Sequence, residues 1–328
     1  MINRKLGRSD IETSAMGLGC YAIGGQFRVE NGQQWGWTGV DDEESIRAIH
    51  AAMDFGINFF DTAQAYGAGH SERIIGKAIK GRRDKVLLAT KFGKRMDEAN
   101  RQILGSSIAP SDLRQSLEDS LLRFDTDYID LFQWHESDGA LEDLPNLLDL
   151  LDKFVDEGKI RYYGWSTDDA ERAAQMAQRK NCVAIEHRVH IFENSENVSK
   201  MLAVCDEENL ASINRSPLMM GILTGKFSEE SRFIDGDVRH SIGFDFTDER
   251  FGSLLKRVEA VREVLTSNER TLSQGALAWI WARSPRTIPI PGFKTVRQVT
   301  ENARAMEFGP LTDEQFHQVE VIMGRVQA

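Results

Sequence analysis

Four side chains that can exchange protons lie at or just after the ends of short apolar segments. These side chains are Asp61, Tyr66, Lys91 and His135. The segments are rich in β-branched and aromatic residues, which is typical of strands, and they are Ile57–Thr62, Val86–Lys91 and Tyr128–His135. Because the carboxyl ends of parallel strands meet on one side of a sheet, these ends would project into one space. An acid, a phenol, an amine and an imidazole placed together could protonate a carbonyl oxygen as a hydride reaches its carbon.

Each of the four side chains has an expected role in such a site. Lys91 is expected to lower the pKa of the Tyr66 phenol from its ordinary value of ~10, because a nearby ammonium favours the phenolate. Asp61 would keep Lys91 charged and in position, and a neutral His135 could orient a substrate oxygen or relay a proton. The alternative is an isolated Asp61–Lys91 ion pair that fills a barrel interior without any chemistry.

Eight predicted strands alternate with eight predicted helices, which indicates a parallel sheet. The strands are Ser14–Cys20, Ile57–Thr62, Val86–Lys91, Tyr128–His135, Ile160–Ser166, Cys182–Val189, Ala211–Pro217 and Thr287–Pro291. The helices are Glu43–Phe55, Ser71–Lys80, Ser111–Phe124, Leu144–Glu157, Asp168–Gln178, Val198–Glu208, Phe251–Leu265 and Leu272–Arg283. Eight such units favour a closed (β/α)8 barrel over an open sheet, since barrels of this kind commonly run near ~250 residues plus insertions.

Four further segments complete the predicted architecture. Asn3–Thr13 is expected to form a small hairpin before the barrel, and Thr312–Arg325 a helical tail. Residues 26–40 and 228–248 are expected to be long loops, which in compact folds usually act as lids or binding loops. No linker rich in Pro, Gly or Ser divides the chain, so a single domain over residues 1–328 is expected.

Composition excludes several function classes. The formal net charge of the 328 residues is −11, which argues against binding to a nucleic-acid backbone. No apolar run reaches the ~18 residues of a membrane helix, and the N-terminus lacks a secretory pattern, so we expect no membrane partner. Three widely spaced cysteines, Cys20, Cys182 and Cys205, indicate a reduced protein of the cytoplasm.

Six motifs in order resemble those of the aldo-keto reductases. They are DTAQAYGAGHSERIIGKAI, LATKFG, DYIDLFQWH, GKIRYYGWS, SPLMMGILTGK and IPIPGFKTVRQVTEN, and the resemblance extends from about Lys5 to Ala305. It implies a (β/α)8 barrel that binds NADPH, a small-molecule carbonyl substrate, and a catalytic tetrad at Asp61, Tyr66, Lys91 and His135. A Rossmann fingerprint at Gly17, Gly19 and Ala22 is rejected because a loop follows it instead of a helix.

The resemblance also implies a set of cofactor contacts. They are Gly19, Cys20, Tyr21, Gln26, Asp61, Ser166, Thr167, Glu186, Arg215, Ser216, Pro217, Leu218, Met219, Met220, Lys226, Gly292, Lys294, Thr295, Gln298, Glu301 and Asn302. Lys294 and Thr295 open a helix whose N-terminus would attract phosphate. If Lys294 contacts the 2′-phosphate of the cofactor, NADPH is preferred over NADH; the alternative is a solvated surface lysine.

Two of the chain's departures from the family pattern concern the nicotinamide. Arg215 replaces an aromatic residue that stacks on the nicotinamide, and Glu186 replaces a glutamine that contacts the carboxamide. We hypothesise that Glu186 and Arg215 compensate each other, the alternative being that they act independently. Trp35 and Trp37 are candidates for substrate-pocket walls or for loop packing. His187 and His190 fall on opposite faces of a strand, so no metal site is predicted.

Three functions fit these features. The first is an NADPH-dependent reductase of an aldehyde or ketone, in which Tyr66 donates the proton. The second is a cofactor-bound regulatory subunit with slow chemistry, which an intact tetrad does not exclude. The third is a Schiff-base aldolase using Lys91, which Asp61 disfavours because it would keep the amine protonated. The oligomeric state is left open.

Overall fold

The strands of the computed structural model, which describes residues 2–193 and 195–327, form three sheets. The strands are β1 (Asn3–Lys5), β2 (Glu12–Ser14), β3 (Leu18–Gly19), β4 (Gln26–Arg28), β5 (Gln34–Gly36), β6 (Phe59–Asp61), β7 (Leu87–Phe92), β8 (Lys94–Asp97), β9 (Gln102–Ser106), β10 (Ile129–Trp134), β11 (Ile160–Ser166), β12 (Cys182–Arg188), β13 (Ala211–Arg215) and β14 (Thr287–Pro289). The largest sheet is parallel and has the order β14-β13-β12-β11-β10-β7-β6-β3.

Twelve α-helices are assigned within the described residues. They are α1 (Asp42–Asp54), α2 (His70–Ala78), α3 (Pro110–Phe124), α4 (Leu144–Asp156), α5 (Ala170–Met176), α6 (Ser195–Glu207), α7 (Val238–Ser241), α8 (Glu249–Leu265), α9 (Leu272–Arg283), α10 (Val296–Ala303), α11 (Ala305–Phe308) and α12 (Asp313–Ile322). None of the helices in this part of the chain has the length and apolar composition needed to cross a membrane.

The parallel sheet closes on itself between its first and last strands. Gly19 forms a parallel bridge with Gly292, and its N–H donates to the carbonyl of Pro291 at 3.1 Å. The N–H of Gly17 donates to the carbonyl of Pro289 at 3.0 Å. This seam joins β3 to β14 and turns the eight strands into the barrel that the sequence predicts.

The barrel interior is apolar and its lower end is covered by the N-terminal hairpin. Strands β7 and β10 are buried along their whole length, as expected for parallel strands with helices outside and side chains inside. Leu6 and Ile11, from the hairpin formed by β1 and β2, pack into the interior cluster that contains Phe59, Leu131 and Ile213. The polar strand ends are therefore left at the opposite mouth.

Two predicted loops have more structure than expected. Residues 26–40 contain the antiparallel hairpin of β4 and β5, and residues 94–106 form a second hairpin of β8 and β9 that was not predicted. The two hairpins pair through Arg28 and Gln102 into a four-stranded sheet beside the barrel mouth. Residues 228–248 contain only the single turn α7. The first barrel strand is shorter than predicted because Ser14 belongs to the hairpin β1–β2.

Candidate active site

The ammonium group of Lys91 is buried at the upper end of the barrel among four oxygen atoms. It donates to Asp61 Oδ2 at 2.6 Å and to the carbonyl of Thr62 at 2.9 Å. Glu186 Oε2 lies 3.1 Å from Lys91 Nζ, and the hydroxyl of Tyr66 lies 3.5 Å from it. Burying an ion is costly unless it is paired, and here the ammonium has two carboxylates as partners.

Strand geometry explains why these side chains meet. Asp61, Lys91 and Glu186 stand at the ends of β6, β7 and β12, and the register places Asp61 opposite Ala89 and Lys91 opposite Gln133. Because alternate residues of a strand face the same side, these polar ends continue the inward-facing rows of the barrel. The sequence-based prediction that the acid and the amine face one space agrees with this geometry.

Gln133 joins the two carboxylates and was not predicted as a site residue. Its Nε2 donates to Asp61 Oδ1 at 3.2 Å and to Glu186 Oε2 at 3.0 Å. The only sequence signal was that Gln133 shares a strand face with His135. Glu186, predicted as a carboxamide contact, is thus also a direct partner of Lys91.

The charges in this cluster alter the protonation of its members. Burial lowers the pKa of Lys91, but Asp61 and Glu186 raise it, and the net shift is upward. Burial and then the charge of Glu186 raise the pKa of Asp61 well above its usual range, against the opposing effect of Lys91. Lys91 therefore stays charged at neutral pH, as predicted, while Asp61 has a strong tendency to hold a proton.

The Tyr66 phenol lies between Lys91 and the ring of His135. Burial raises the pKa of Tyr66 above its usual value, and the lowering effect of Lys91 is smaller. The predicted net lowering is therefore wrong, because burial and two carboxylates outweigh one ammonium. The phenol is protonated at neutral pH, which is the state that a proton donor needs.

His135 meets Tyr66 edge to face, with ring centroids 5.7 Å apart. Burial, Lys91 and Lys94 hold the pKa of His135 well below its usual value, so the imidazole is neutral as predicted. Within the described residues, its Nδ1 is buried and has no hydrogen-bond partner. A neutral ring with an unsatisfied nitrogen near the Tyr66 hydroxyl is suited to hold a substrate oxygen or hydroxyl.

A cavity of about 610 Å³ opens above this cluster. Its wall includes Tyr66, His135 and Trp37, and most of the predicted cofactor contacts. Those contacts are Gly19, Tyr21, Asp61, Ser166, Glu186, Arg215, Ser216, Pro217, Leu218, Met220, Lys226, Gly292, Lys294, Gln298, Glu301 and Asn302. Lys91 lies beneath the floor rather than on the wall.

Several predicted residues are placed off the cavity wall. The Gln26 amide donates to the carbonyl of Gly236, and the Thr167 hydroxyl donates to the carbonyl of Ser137. The Thr295 hydroxyl caps α10 by accepting from Gln298 N–H. The remaining residues are buried or packed elsewhere, and they are Cys20 in the barrel wall, Met219 against the core and Trp35 against Phe27 and Ile103.

Arg215 lies on the cavity wall but does not pair with Glu186. One of its guanidinium nitrogens is 2.5 Å from Asp168 Oδ2, in the loop after β11. Asp168 also accepts from the N–H of Arg188, which fixes the carboxylate in place. Among the described residues no ion pair joins Glu186 and Arg215, and the hypothesis that they compensate each other stays a prediction.

The other end of the cavity is positively charged. Burial and the charge of Arg239 lower the pKa values of Lys226 and Lys294. Positively charged side chains that line one end of a cavity attract anions, such as the phosphates of a dinucleotide. Ser216 and Met220, on the turn beside them, have φ values of 55° and 52°, a conformation that non-glycine residues rarely adopt outside functional sites.

One expectation about this end needs correction. The N–H of Val296, at the start of α10, donates to the Glu44 carboxylate at 2.9 Å, so that N–H is not available to a phosphate. The Lys294 ammonium donates to the carbonyl of Thr38 at 3.1 Å and still lines the cavity. At this end of the cavity the Val296 N–H is thus already bonded, while the Lys294 side chain remains on the cavity wall.

Further wall residues were missed because they come from loops and from the unpredicted hairpin. Lys94 and Glu136 form an ion pair of 2.7 Å at the rim, and Ser106 donates to Glu136 at 2.6 Å. Arg239 contacts the ring of Trp37 at 4.6 Å and also lines the cavity. The rim beside His135 is thus polar.

A closed parallel barrel with a buried Asp–Lys pair, a tyrosine and a histidine at its carboxyl mouth defines an oxidoreductase barrel that acts on carbonyl groups. The chain belongs to the aldo/keto reductase family, whose family model matches residues 16–323.

Relatives and solved structures agree with this assignment. A protein described as an uncharacterized oxidoreductase, YqkF of Bacillus subtilis, is 28% identical over 96% of this chain and 94% of its own length. The aldo-keto reductase yakc [NADP(+)] of Schizosaccharomyces pombe is 31% identical over 93% of this chain and 86% of its own. The structure of the glycerol dehydrogenase AKR11B4 from Gluconobacter oxydans has a TM-score of 0.84 and 30% identity, covering 98% of this chain and 95% of that one.

Proposed function

We propose that this protein reduces an aldehyde or ketone to an alcohol with NADPH, and that Tyr66 donates the proton. The observation that carries the proposal is the Tyr66 hydroxyl, which faces the cavity 3.5 Å from a charged Lys91 and is protonated at neutral pH. A phenol held in this way can give its proton to a carbonyl oxygen, and Lys91 then stabilises the phenolate that forms.

The remaining residues have supporting roles in this scheme. Reduced nicotinamide supplies the hydride when it is bound. His135, neutral and edge-on to Tyr66, would accept or donate a hydrogen bond at the substrate oxygen and so orient it. Asp61 and Gln133 fix Lys91 beneath the phenol. General acid catalysis of this kind contributes ~10²–10⁴ in rate.

The charge of the cavity supports a phosphorylated dinucleotide as the cofactor. Lys226, Lys294 and Arg239 would neutralise its phosphates, and Lys294 is the candidate for the 2′-phosphate that distinguishes NADPH from NADH. Ser166 and Arg215 would border the nicotinamide. One relative carries NADP(+) in its name. A cytoplasmic location, where NADPH is available, accords with the three buried, unpaired cysteines.

The test is NADPH oxidation against a panel of carbonyl substrates. Because the cavity rim is polar and one structural neighbour is described as a glycerol dehydrogenase, the panel should contain glyceraldehyde beside apolar aldehydes, with glycerol in the reverse direction. We expect Tyr66→Phe to lose about 10²-fold or more in kcat, with little change in NADPH affinity.

Tyr162→Phe is the matched control, since the Tyr162 hydroxyl bonds Asp10, away from the cavity. It should keep full activity. Full activity in Tyr66→Phe would refute the proton-donor role. NADPH binding without turnover of any carbonyl would favour a regulatory subunit over a reductase.

A further inference from the structure

The buried cluster around Lys91 contains two carboxyl groups, one more than is needed to neutralise the Lys91 ammonium. Asp61, Lys91 and Glu186 are at most 2% exposed, and the ammonium is bonded or paired to both acids. If both acids are ionised, the cluster carries a net negative charge with little solvent to stabilise it. An uncompensated buried charge is costly, and such groups usually avoid the cost by changing protonation state.

Two shared partners hold the two carboxyl groups at one place. Lys91 Nζ lies 2.6 Å from Asp61 Oδ2 and 3.1 Å from Glu186 Oε2, and Gln133 Nε2 donates to an oxygen of each acid. Two carboxyl groups that share a site in this way repel each other when both are ionised, which favours a state with one proton bound. Two other titratable groups also face the acids from the surrounding elements, Cys20 beside Asp61 and Tyr66 beside both acids, while His135 and Arg215 lie further along the cavity wall.

We propose that Asp61 and Glu186 hold one shared proton and release it when the positively charged ring of an oxidised nicotinamide occupies the cavity above them. The inference rests on the proposed function, since it requires a nicotinamide cofactor. Both acids reach the cavity wall, so a cation there would favour the doubly ionised pair. Neutral, reduced nicotinamide would leave the shared proton in place.

In a reductive turnover this proton balances the reaction. When bound, reduced nicotinamide would supply the hydride to the carbonyl carbon, and Tyr66 would give its hydroxyl proton to the carbonyl oxygen. Tyr66 regains a proton from the Lys91 ammonium, and Lys91 regains one from the acid pair, along contacts of 3.5, 2.6 and 3.1 Å. The pair would end doubly ionised and would take up a proton from solvent before the next turnover. Glu186 thus acts on the reaction through Lys91, as one of the two acids that hold the proton.

The test compares the affinities for NADP⁺ and NADPH as a function of pH, measured by fluorescence or calorimetric titration. Both forms carry the same phosphates, so the ratio of their dissociation constants cancels any titration of the phosphates. Release of one proton tightens NADP⁺ binding with rising pH, by up to ~10-fold per pH unit over the range in which the free protein holds the proton. We expect this slope in the wild-type protein and a flat ratio in Glu186→Gln.

Two further variants identify the source of the proton. Tyr66→Phe should keep the slope, because the proton comes from the acids and not from the phenol. Glu301→Gln, at the far end of the cavity, should shift both affinities together and also keep the slope.

The proposal is overturned by a flat ratio in the wild-type protein, by a slope that persists in Glu186→Gln, or by loss of the slope in Tyr66→Phe. A flat ratio in the wild-type protein overturns the proposal even if Glu186→Gln folds poorly. Failure of both NADP⁺ and NADPH to bind would instead refute the proposed function itself.

Discussion

The guanidinium of Arg215 lies where the family usually has an aromatic ring, and Asp168 fixes its position. The pair is 2.5 Å long and only partly exposed, and burial, Arg215 and Arg188 set the pKa of Asp168, whose net shift is downward. A planar cation held by a carboxylate can pack against a flat ring as an aromatic residue would. If the nicotinamide binds beside Arg215 as proposed, Asp168 would influence its binding by holding Arg215 in position.

This arrangement predicts which substitutions are independent. The effects of Glu186→Gln and Arg215→Tyr on the free energy of NADPH binding should add to within ~0.5 kcal/mol, because the two side chains have separate partners. Asp168→Asn and Arg215→Tyr should be clearly non-additive, because each removes the same ion pair. NADPH titration of the single and double variants measures both cycles. Coupling above ~1 kcal/mol between Glu186 and Arg215 would contradict this account.

At the residue scale, the reactive side chains could be predicted from the sequence better than the residues that pair with them. Asp61 and Lys91 could be predicted because strand alternation places their side chains without knowledge of the loops, whereas Tyr66 lies in the turn after β6. The partner of Arg215 was not, because Asp168 comes from a loop whose path no periodicity describes. The sign of the Tyr66 shift also failed, since it depends on burial and on the second acid, Glu186, and neither is visible in a spacing.

Among the elements, the seam between β3 and β14 has a close backbone contact beside the cavity. A Cβ built on Gly19 would lie 2.6 Å from the carbonyl oxygen of Ile290, a backbone atom that cannot move independently. A Cβ on Gly292, across the same bridge, would meet only the carbonyl of Gly19 at 3.8 Å. The two glycines therefore face each other but differ in the space available for a side chain.

We expect Gly19→Ala to lower the free energy of unfolding by about 1–3 kcal/mol, because overpacking must push the two strands apart. Gly292→Ala is the matched control and should change it by much less. Urea unfolding of both variants, followed by circular dichroism, measures the difference. Equal stability of the two alanine variants would show that the seam is not tightly packed.

The regular elements were predictable where their hydrophobic pattern was strong. β11 and α9 match their predicted bounds, Ile160–Ser166 and Leu272–Arg283, because both are buried and bounded by clear stop signals. The hairpin of β8 and β9 was missed because its sequence is polar and its outer strand contains Lys94, Arg95 and Asp97. Its order depends on pairing with β4, a contact between segments far apart in the chain.

For the molecule as a whole, buried neutral histidines link stability to pH. Burial lowers the pKa values of His187 and His190 to about 3 each, and His187 also bonds the hydroxyl of Ser212 at 2.7 Å. Unfolded histidine titrates near ~6.5, so the unfolded chain binds more protons below that pH. The stabilising effect of keeping them neutral is thus present above pH ~6.5 and lost as the pH falls towards the folded value.

We predict that the free energy of unfolding falls by about 1.4 kcal/mol per pH unit for each of these histidines between pH ~6 and pH ~4. His187→Gln should reduce that slope, whereas His317→Gln, on the exposed face of α12, should not. Chemical denaturation at a series of pH values gives the slopes. An unchanged slope in His187→Gln would mean that other groups dominate the acid sensitivity.

The seam has a consequence for how the barrel exchanges hydrogen with solvent. The amides of Gly17 and Gly19 close the ring by donating to β14 and to Pro291, and Gly19 and Gly292 both border the cavity. Opening of the barrel at this point would expose those two amides and spread the cavity wall in the same motion. A molecule that touches both glycines therefore holds the seam closed, and the deuterium uptake of two backbone amides becomes a measure of occupancy that needs no catalysis.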